Sequence, residues 1–210
     1  MKHLLILGAG GMGKTVFSIA TGSIGYGTEF DIKGFLDVPN EDWNSEVYPP
    51  ILCHEDNYEI CQDDVFVCSI GNVQLRKKIC EKIQSRGGQF ISLVHKKAEL
   101  HHNTYIEDGT IIAPLAIIGN DVKLGKSCLV QSFAVIGHDA EVGNYTRLDC
   151  HTMIVGGVSI GESCTIHSSA VVNHKVKVRD NATVAACSFV VRNVKEGTTV
   201  YGNPAKKIEL

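Results

Sequence analysis

The chain has 210 residues, enough for one or two domains with cores of their own, and its 7% aromatic content requires a mainly aliphatic interior. A formal charge of −3 leaves no electrostatic footprint for nucleic acid or an anionic membrane surface. Eight cysteines with no C-x-x-C spacing argue against a zinc ribbon. The apolar run from Leu4 to Leu7 is too short for a signal peptide, and no stretch is long enough to span a bilayer. A reduced, cytoplasmic setting is therefore expected.

Leu4 to Leu7 reads as a buried strand, followed by Gly8-Ala9-Gly10-Gly11-Met12-Gly13 and a helix to about Thr21. Ile32 to Leu36 reads as a second strand ending at Asp37, and the polar, turn-rich segment from Val38 to Pro50 as loop. Val65 to Ile70 is a third strand, closed by Gly71-Asn72 and a helix carrying Val73, Ile79 and Ile83; Gln89 to Val94 is a fourth. Alternating strands and helices over residues 1–95 predict a Rossmann-like parallel α/β domain.

Gly8-x-Gly10-x-x-Gly13 after a strand and before a helix is the setting of a dinucleotide fingerprint, with Asp37 near the spacing of a ribose contact. The same segment also spells a P-loop, Gly8-x4-Gly13-Lys14-Thr15. Both patterns hold anionic oxygens on free backbone N–H groups at a helix start; a tight turn with no ligand is the plain alternative. The domain's size favours a single nucleotide, carried by a small ligand, over an NTPase.

From Leu100 to Val190 every sixth residue is Leu, Ile or Val, and two positions before each stands a second column, Ala98 to Ser188, of small or β-branched residues. A period of six fits neither an amphipathic helix nor a two-faced strand. It fits a β-solenoid over residues 96–210 in which each hexad makes one side of a triangular coil, aliphatics inward and small residues at the corners. Residues eighteen apart then stack at about 4.8 Å.

Among nine histidines His138 stands out, because Asp139 beside it can fix one ring nitrogen while the other faces a substrate. His174 lies 36 residues on, two coils away in the same column, so zinc must be weighed. Backbones about 9.6 Å apart would have to bring both rings within about 2.1 Å of one ion, with a third ligand. Lys175 beside His174 opposes a cation. No metal is expected.

Taken together, Gly8-Ala9-Gly10-Gly11, Phe35-Leu36-Asp37, Ile70-Gly71-Asn72, Arg76-Lys77-Lys78, the hexads, Gly137-His138-Asp139 and Gly202-Asn203-Pro204-Ala205-Lys206 carry a resemblance along nearly the whole chain. It resembles the hexapeptide-repeat sugar acyltransferases with an N-terminal nucleotide-binding domain, which include nucleotide-amino-sugar N-acetyltransferases and sialic acid O-acetyltransferases. The resemblance implies a left-handed parallel β-helix, a homotrimer with active sites between subunits, acetyl-CoA as co-substrate, and a nucleotide-linked amino sugar acetylated for surface glycans. It makes His138 the base, Asp139 the residue that raises its basicity, and the Gly156 N–H a neighbour of the oxyanion. It places Arg147, Ser168, Ala186 and Lys206 on acetyl-CoA, and Gly10, Gly11, Met12, Asp37, Val38 and Gly71 on the nucleotide sugar. Met12 and Arg147 stand where the family often has histidine. An O-acetyltransferase for a sialic-acid-like sugar, a non-catalytic trimeric scaffold and a zinc hydro-lyase are the competing readings.

Overall fold

The computed structural model describes residues 1–208. Its N-terminal sheet comprises β1 (Lys2–Leu7), β2 (Phe30–Leu36), β3 (Ile51–Cys53), β4 (Asp64–Cys68) and β5 (Gln89–Phe90), in the spatial order β3-β2-β1-β4-β5. All pairings are parallel. Helices α1 (Gly11–Thr21) and α2 (Val73–Ser85) connect them. Leu4, Leu5 and Ile6 are fully buried, as a central parallel strand covered on both faces requires. Strand order reverses between β1 and β4, so the crevice beyond their carboxyl ends is where a ligand of such a sheet binds.

Two local expectations are corrected. Gln89 to Val94 is not one strand: Gln89–Phe90 pairs with β4, whereas Leu93–Val94 pairs with Ile111–Ile112 of the solenoid. The run changes sheets at Ile91-Ser92, where the Ser92 hydroxyl donates to Glu107 O at 2.9 Å. β3 was not anticipated; it has three residues, too few to show a period, and follows Pro49-Pro50 on the sheet edge.

The hexads form a three-faced solenoid. Face I runs through Leu93–Val94, Ile111–Ile112, Leu129–Val130, Arg147–Leu148, Thr165–Ile166 and Thr183–Val184 to the C-terminal strands Thr199–Tyr201 and Lys206–Lys207. Face II stacks six strands from Glu99–Leu100 to Phe189–Val190, and face III five from Tyr105–Ile106 to Lys177–Val178. Each coil repeats after eighteen residues, as in Val135↔Met153 and Ile136↔Ile154. The inner residues from Ile112 to Val184 pack into one continuous cluster, Ile118, Leu124, Val130, Ile136 and Leu148 being fully buried. Each contributes about 1.5–3 kcal/mol relative to exposure.

The corners sit one residue earlier than the small column. The turning residues, including Asn103, Leu115, Phe133, Asp139 and Tyr145, have φ between 57° and 63°. They project outward, so their size is unrestricted, whereas the next side chain fills the lumen corner and must be small. The small column also hydrogen-bonds along the stack: Thr110 Oγ1 donates to Gly125 O at 2.7 Å, and Thr146 Oγ1 to Gly161 O at 2.8 Å.

The N-terminal domain packs on face I, where the outward Ile111 and Leu129 share a core with Leu4, Ile6 and Leu93. Arg76 of α2 is completely buried at this seam, donating to Ile70 O at 2.8 Å and to Tyr145 O. Burial holds its guanidinium below the usual arginine value.

Candidate active site

The first part of the site is a cleft of about 590 Å³ at the carboxyl ends of β1, β2 and β4. Gly8 adopts φ 98°, and a methyl group on Gly13 would stand 2.2 Å from Gly8 O, so close strand-to-helix approach demands glycine at both. Nothing lies within 4 Å of a methyl on Gly10 or Gly11, which leaves that wall open to a ligand. α1 begins at Gly11 with no side-chain cap and no acidic residue in its first turn, so its free N–H groups suit an anion. Asp37 closes the turn: its carboxylate accepts from Ala9 N and from Val38 N, both at 2.7 Å.

The structure brings Gly10, Gly11, Met12, Asp37 and Gly71 into this one cleft. Val38 is exposed beside it and touches it only through Asp37. Sequence reasoning missed Leu75, Lys78, Ile79 and Lys82, one face of α2 that forms the opposite wall, and His54-Glu55 at its rim. The α2 residues have spacing i, i+3, i+4, i+7, a helical face that was readable but mixes apolar and charged types. Lys78 and Lys82 supply positive charge opposite the glycine turn. Lys82 also pairs with Glu55 at 3.2 Å and with Asp56, whose hydrogen bond holds its pKa above the usual lysine value.

The P-loop alternative fares poorly. Lys14 Nζ stands 5.4 Å from the Trp43 ring centroid and 5.3 Å from that of Tyr48, outside the cleft wall. Thr15 Oγ1 donates within the helix to Gly11 O at 3.1 Å. Neither is placed to serve a β,γ-phosphate and its metal.

The second part lies on the edge between faces II and III. His138 Nδ1 is 2.7 Å from Asp139 Oδ2, and both side chains are about two-thirds exposed in the single chain, at 64% and 65%. Gly156 lies one coil on and is buried; a methyl group there would stand 2.5 Å from His138 Nε2. Among the described residues the Gly156 N–H has no backbone acceptor. A basic nitrogen with its tautomer fixed by a carboxylate, beside an open backbone donor, can deprotonate a nucleophile and steady an oxyanion. His138 and His174 do not join a third ligand: the one metal-like grouping among the described residues is His54-Glu55-Asp56.

Ser168 and Ala186 lie on a different edge, between faces I and II, stacked one coil apart and exposed. Lys206 is exposed on the C-terminal strand of face I. Arg147 stands on face I beneath the N-terminal domain, engaging Asp149 through Nε and through Nη2 at 3.0 Å, with Nη1 3.3 Å from Gly71 O. One protomer therefore does not assemble the expected base and the expected acetyl-CoA residues in one place.

Residues 3–83 match the family model of the PglD N-terminal domain, and residues 103–138 that of the bacterial transferase hexapeptide (six repeats). The chain is similar to the acetyltransferase domain of PglB from Neisseria gonorrhoeae FA1090, with 25% identity and a TM-score of 0.91 over 99% of this chain and 100% of that one. The same domain in complex with acetyl coenzyme A aligns with 23% identity and a TM-score of 0.79 over 99% of each chain. A variant of perosamine N-acetyltransferase from Caulobacter crescentus, in complex with CoA and GDP-perosamine, aligns with 21% identity and a TM-score of 0.88 over 100% of this chain and 98% of that one. With a PglD-type match over residues 3–83, hexapeptide repeats over 103–138 and structural matches over its full length, the chain resembles the hexapeptide-repeat sugar acyltransferases.

Proposed function

We propose that the protein is an acetyl-CoA-dependent acetyltransferase acting on the amino group of a nucleotide-linked amino sugar. The observation that carries this reading is the His138–Asp139 pair with Nε2 set against Gly156, on a chain that also holds an anion-suited nucleotide cleft. The matched PglB domain binds acetyl coenzyme A and the perosamine N-acetyltransferase binds CoA and GDP-perosamine, which supports the same pair of substrates here.

In this mechanism His138 Nδ1–H donates to Asp139, leaving Nε2 as the base. The acceptor amine attacks the thioester carbonyl, Nε2 takes its proton, and the Gly156 N–H stabilises the oxyanion. Collapse of the tetrahedral intermediate breaks the C–S bond, and the His138 imidazolium returns its proton to the leaving CoA thiolate, regenerating the base. No cysteine is needed as a nucleophile: the thiols of Cys128 and Cys164 are buried, and burial pushes each up to about 11.

The active unit is a homotrimer. Ile117, Val135, Met153, Val171 and Phe189 stand on the outer side of face II at eighteen-residue spacing, an apolar stripe, and Leu115 and Phe133 extend it along the edge with face I, each 47% exposed. A face of this kind marks an association surface. Three copies with face II turned to a common axis bring the face II–III edge of one against the face I–II edge of the next. His138 and Gly156 of one copy then meet Ser168 and Ala186 of another, which supports a heterologous, closed interface.

The test is a thermal-shift screen of UDP-, GDP-, dTDP- and CMP-linked sugars with and without CoA, followed by transfer assays on the stabilising acceptor. Stabilisation by a nucleotide sugar, additive with CoA, and amide formation on the sugar are expected. Stabilisation without turnover would favour the scaffold; acylation of a hydroxyl would favour the O-acetyltransferase.

A further inference from the structure

Three consecutive basic residues of α2 point three ways. Lys78 lines the nucleotide cleft, Lys77 pairs with Glu162 and stands 5.9 Å from the Tyr145 ring centroid, and Arg76 is completely buried. The Arg76 Nη1 donates to Ile70 O at 2.8 Å and its Nη2 to Tyr145 O at 2.5 Å. Among the described residues no carboxylate pairs with it, and its Nε has no partner.

A buried guanidinium without an acid is a poor device for stability, because desolvation of the charge opposes what its hydrogen bonds supply. The titratable groups around it are the thiols of Cys68, Cys80 and Cys128 and one further cation, Arg147. What the charge reaches is two backbone carbonyls that no local pattern brings together. Ile70 belongs to the turn between β4 and α2, whose Ser69, Ile70 and Gly71 wall the nucleotide cleft. Tyr145 is a corner residue of the solenoid, with φ 59°, between faces III and I. Two residues on, Arg147 crosses the same seam in the other direction, its Nη1 3.3 Å from Gly71 O. Arg76 of the N-terminal domain thus holds the solenoid, and Arg147 of the solenoid holds the turn of the cleft. A planar fork serves two carbonyls at once, as the point charge of a lysine does not.

We infer that Arg76 is a positioning residue for transfer, fixing the Ile70-Gly71 turn to the solenoid so that an acceptor held in the cleft meets the acyl-transfer centre in one orientation. The assignment rests on the proposed acetyl transfer and adds what keeps its two substrate-bearing parts in register. Arg76 touches neither substrate nor reacting atoms; it acts through the two carbonyls. The shape of the turn itself has other supports: Asn72 Oδ1 accepts from Leu75 N at 2.9 Å, and the Ser69 hydroxyl donates to Leu7 O at 2.8 Å. In that reading nucleotide and CoA each bind one part of the molecule, so their affinities do not depend on Arg76. Transfer needs both parts at once, and a misplacement of about 1 Å there costs about 100-fold in rate.

The test compares full-length wild type, Arg76→Met and Arg76→Lys in steady-state transfer on the acceptor chosen by the thermal screen, at a temperature at which each is folded. Calorimetry with CoA counts the binding-competent sites, so kcat is expressed per site and a loss of folded protein does not register. Arg76→Met should lower kcat about 10- to 100-fold, with the Kd of CoA and of the acceptor unchanged. Arg76→Lys, which keeps the charge and loses the fork, should recover part of that loss. The pH midpoint of kcat should stay at its wild-type value in both, since His138 is untouched. Wild-type kcat per site in Arg76→Met would overturn the assignment and leave Arg76 a purely structural residue. Should that variant not fold, wild-type kcat in Arg76→Lys overturns it equally. Loss of acceptor affinity in place of kcat, or a displaced pH midpoint, would also overturn it. Absence of transfer by the wild type on every acceptor would strike the proposed reaction itself, a separate result.

Discussion

In the proposed mechanism His138 acts through one nitrogen, and Gly156 is what keeps that nitrogen clear. The two stand eighteen residues apart, so their stacking follows from the hexad period, and the adjacency of Asp139 was equally legible. Gly156→Ala would place a methyl 2.5 Å from Nε2 and force the ring to turn. We expect kcat to fall about 100-fold, the scale of an ångström-sized misplacement, while the CoA KM stays near wild type. Arg147 was less legible, because its bonding to Asp149 and Gly71 depends on how two domains meet and not on any local pattern. The glycine turn separates structure from binding in the same way. Gly13→Ala should destabilise the fold by about 1–3 kcal/mol in urea titrations, since its methyl meets Gly8 O. Gly11→Val, facing open space, should leave stability alone and weaken nucleotide-sugar binding without touching CoA. Equal loss of both ligands would contradict that division.

The elements of the N-terminal domain announced themselves where apolar runs were long, as in β1, β2, β4 and α1. They were hidden where a strand is three residues long, as in β3, or where one apolar run serves two sheets, as at Phe90 and Leu93. The sheet is fastened across β2 and β4 by a polar knot whose partners are far apart in sequence. Asp64 is 3% exposed and accepts from Lys33 Nζ, Tyr58 Oη and Cys61 N, each at 2.8 Å. Burial alone would raise its pKa, but these donors outweigh it and hold the carboxyl below the usual value, while Tyr58 is pushed up to about 12, chiefly by burial. A depressed carboxyl pKa contributes stability above about pH 4, and that contribution is lost as pH falls through the lower, folded-state value. Asp64→Asn should therefore cost about 1–3 kcal/mol at neutral pH, less than a fully buried pair because Lys33 is partly solvated. The gap between variant and wild type in urea titrations should narrow below about pH 4.

At the scale of the whole molecule the solenoid was almost fully readable, because one period sets lumen, coil length and stacking together. Its outer faces were not read, since the residue before each aliphatic follows no rule until the three faces are separated. Only then do Ile117, Val135, Met153, Val171 and Phe189 form one stripe, while face III shows Tyr105, Lys123, Glu141, Ser159 and Lys177. If the proposed trimer forms, light scattering should give three chains for the wild type and one for Met153→Asp, at the centre of the apolar stripe, with transfer abolished and nucleotide binding retained; a trimeric variant would place the interface elsewhere, and a monomeric wild type would remove the trimer. Among the described residues no helix is long and apolar enough to cross a membrane.

General-base catalysis of acetyl transfer by His138, as proposed, is tested most directly by steady-state turnover of wild type and His138→Ala on the acceptor chosen by the thermal screen. Loss of thioester absorbance is the better readout, because exposed Cys61 and Cys187 would consume a thiol reagent. Amide formation should match thioester loss in the wild type, and kcat should be about 10²–10⁴-fold lower in the variant at unchanged CoA affinity. Near-wild-type turnover by His138→Ala would contradict it.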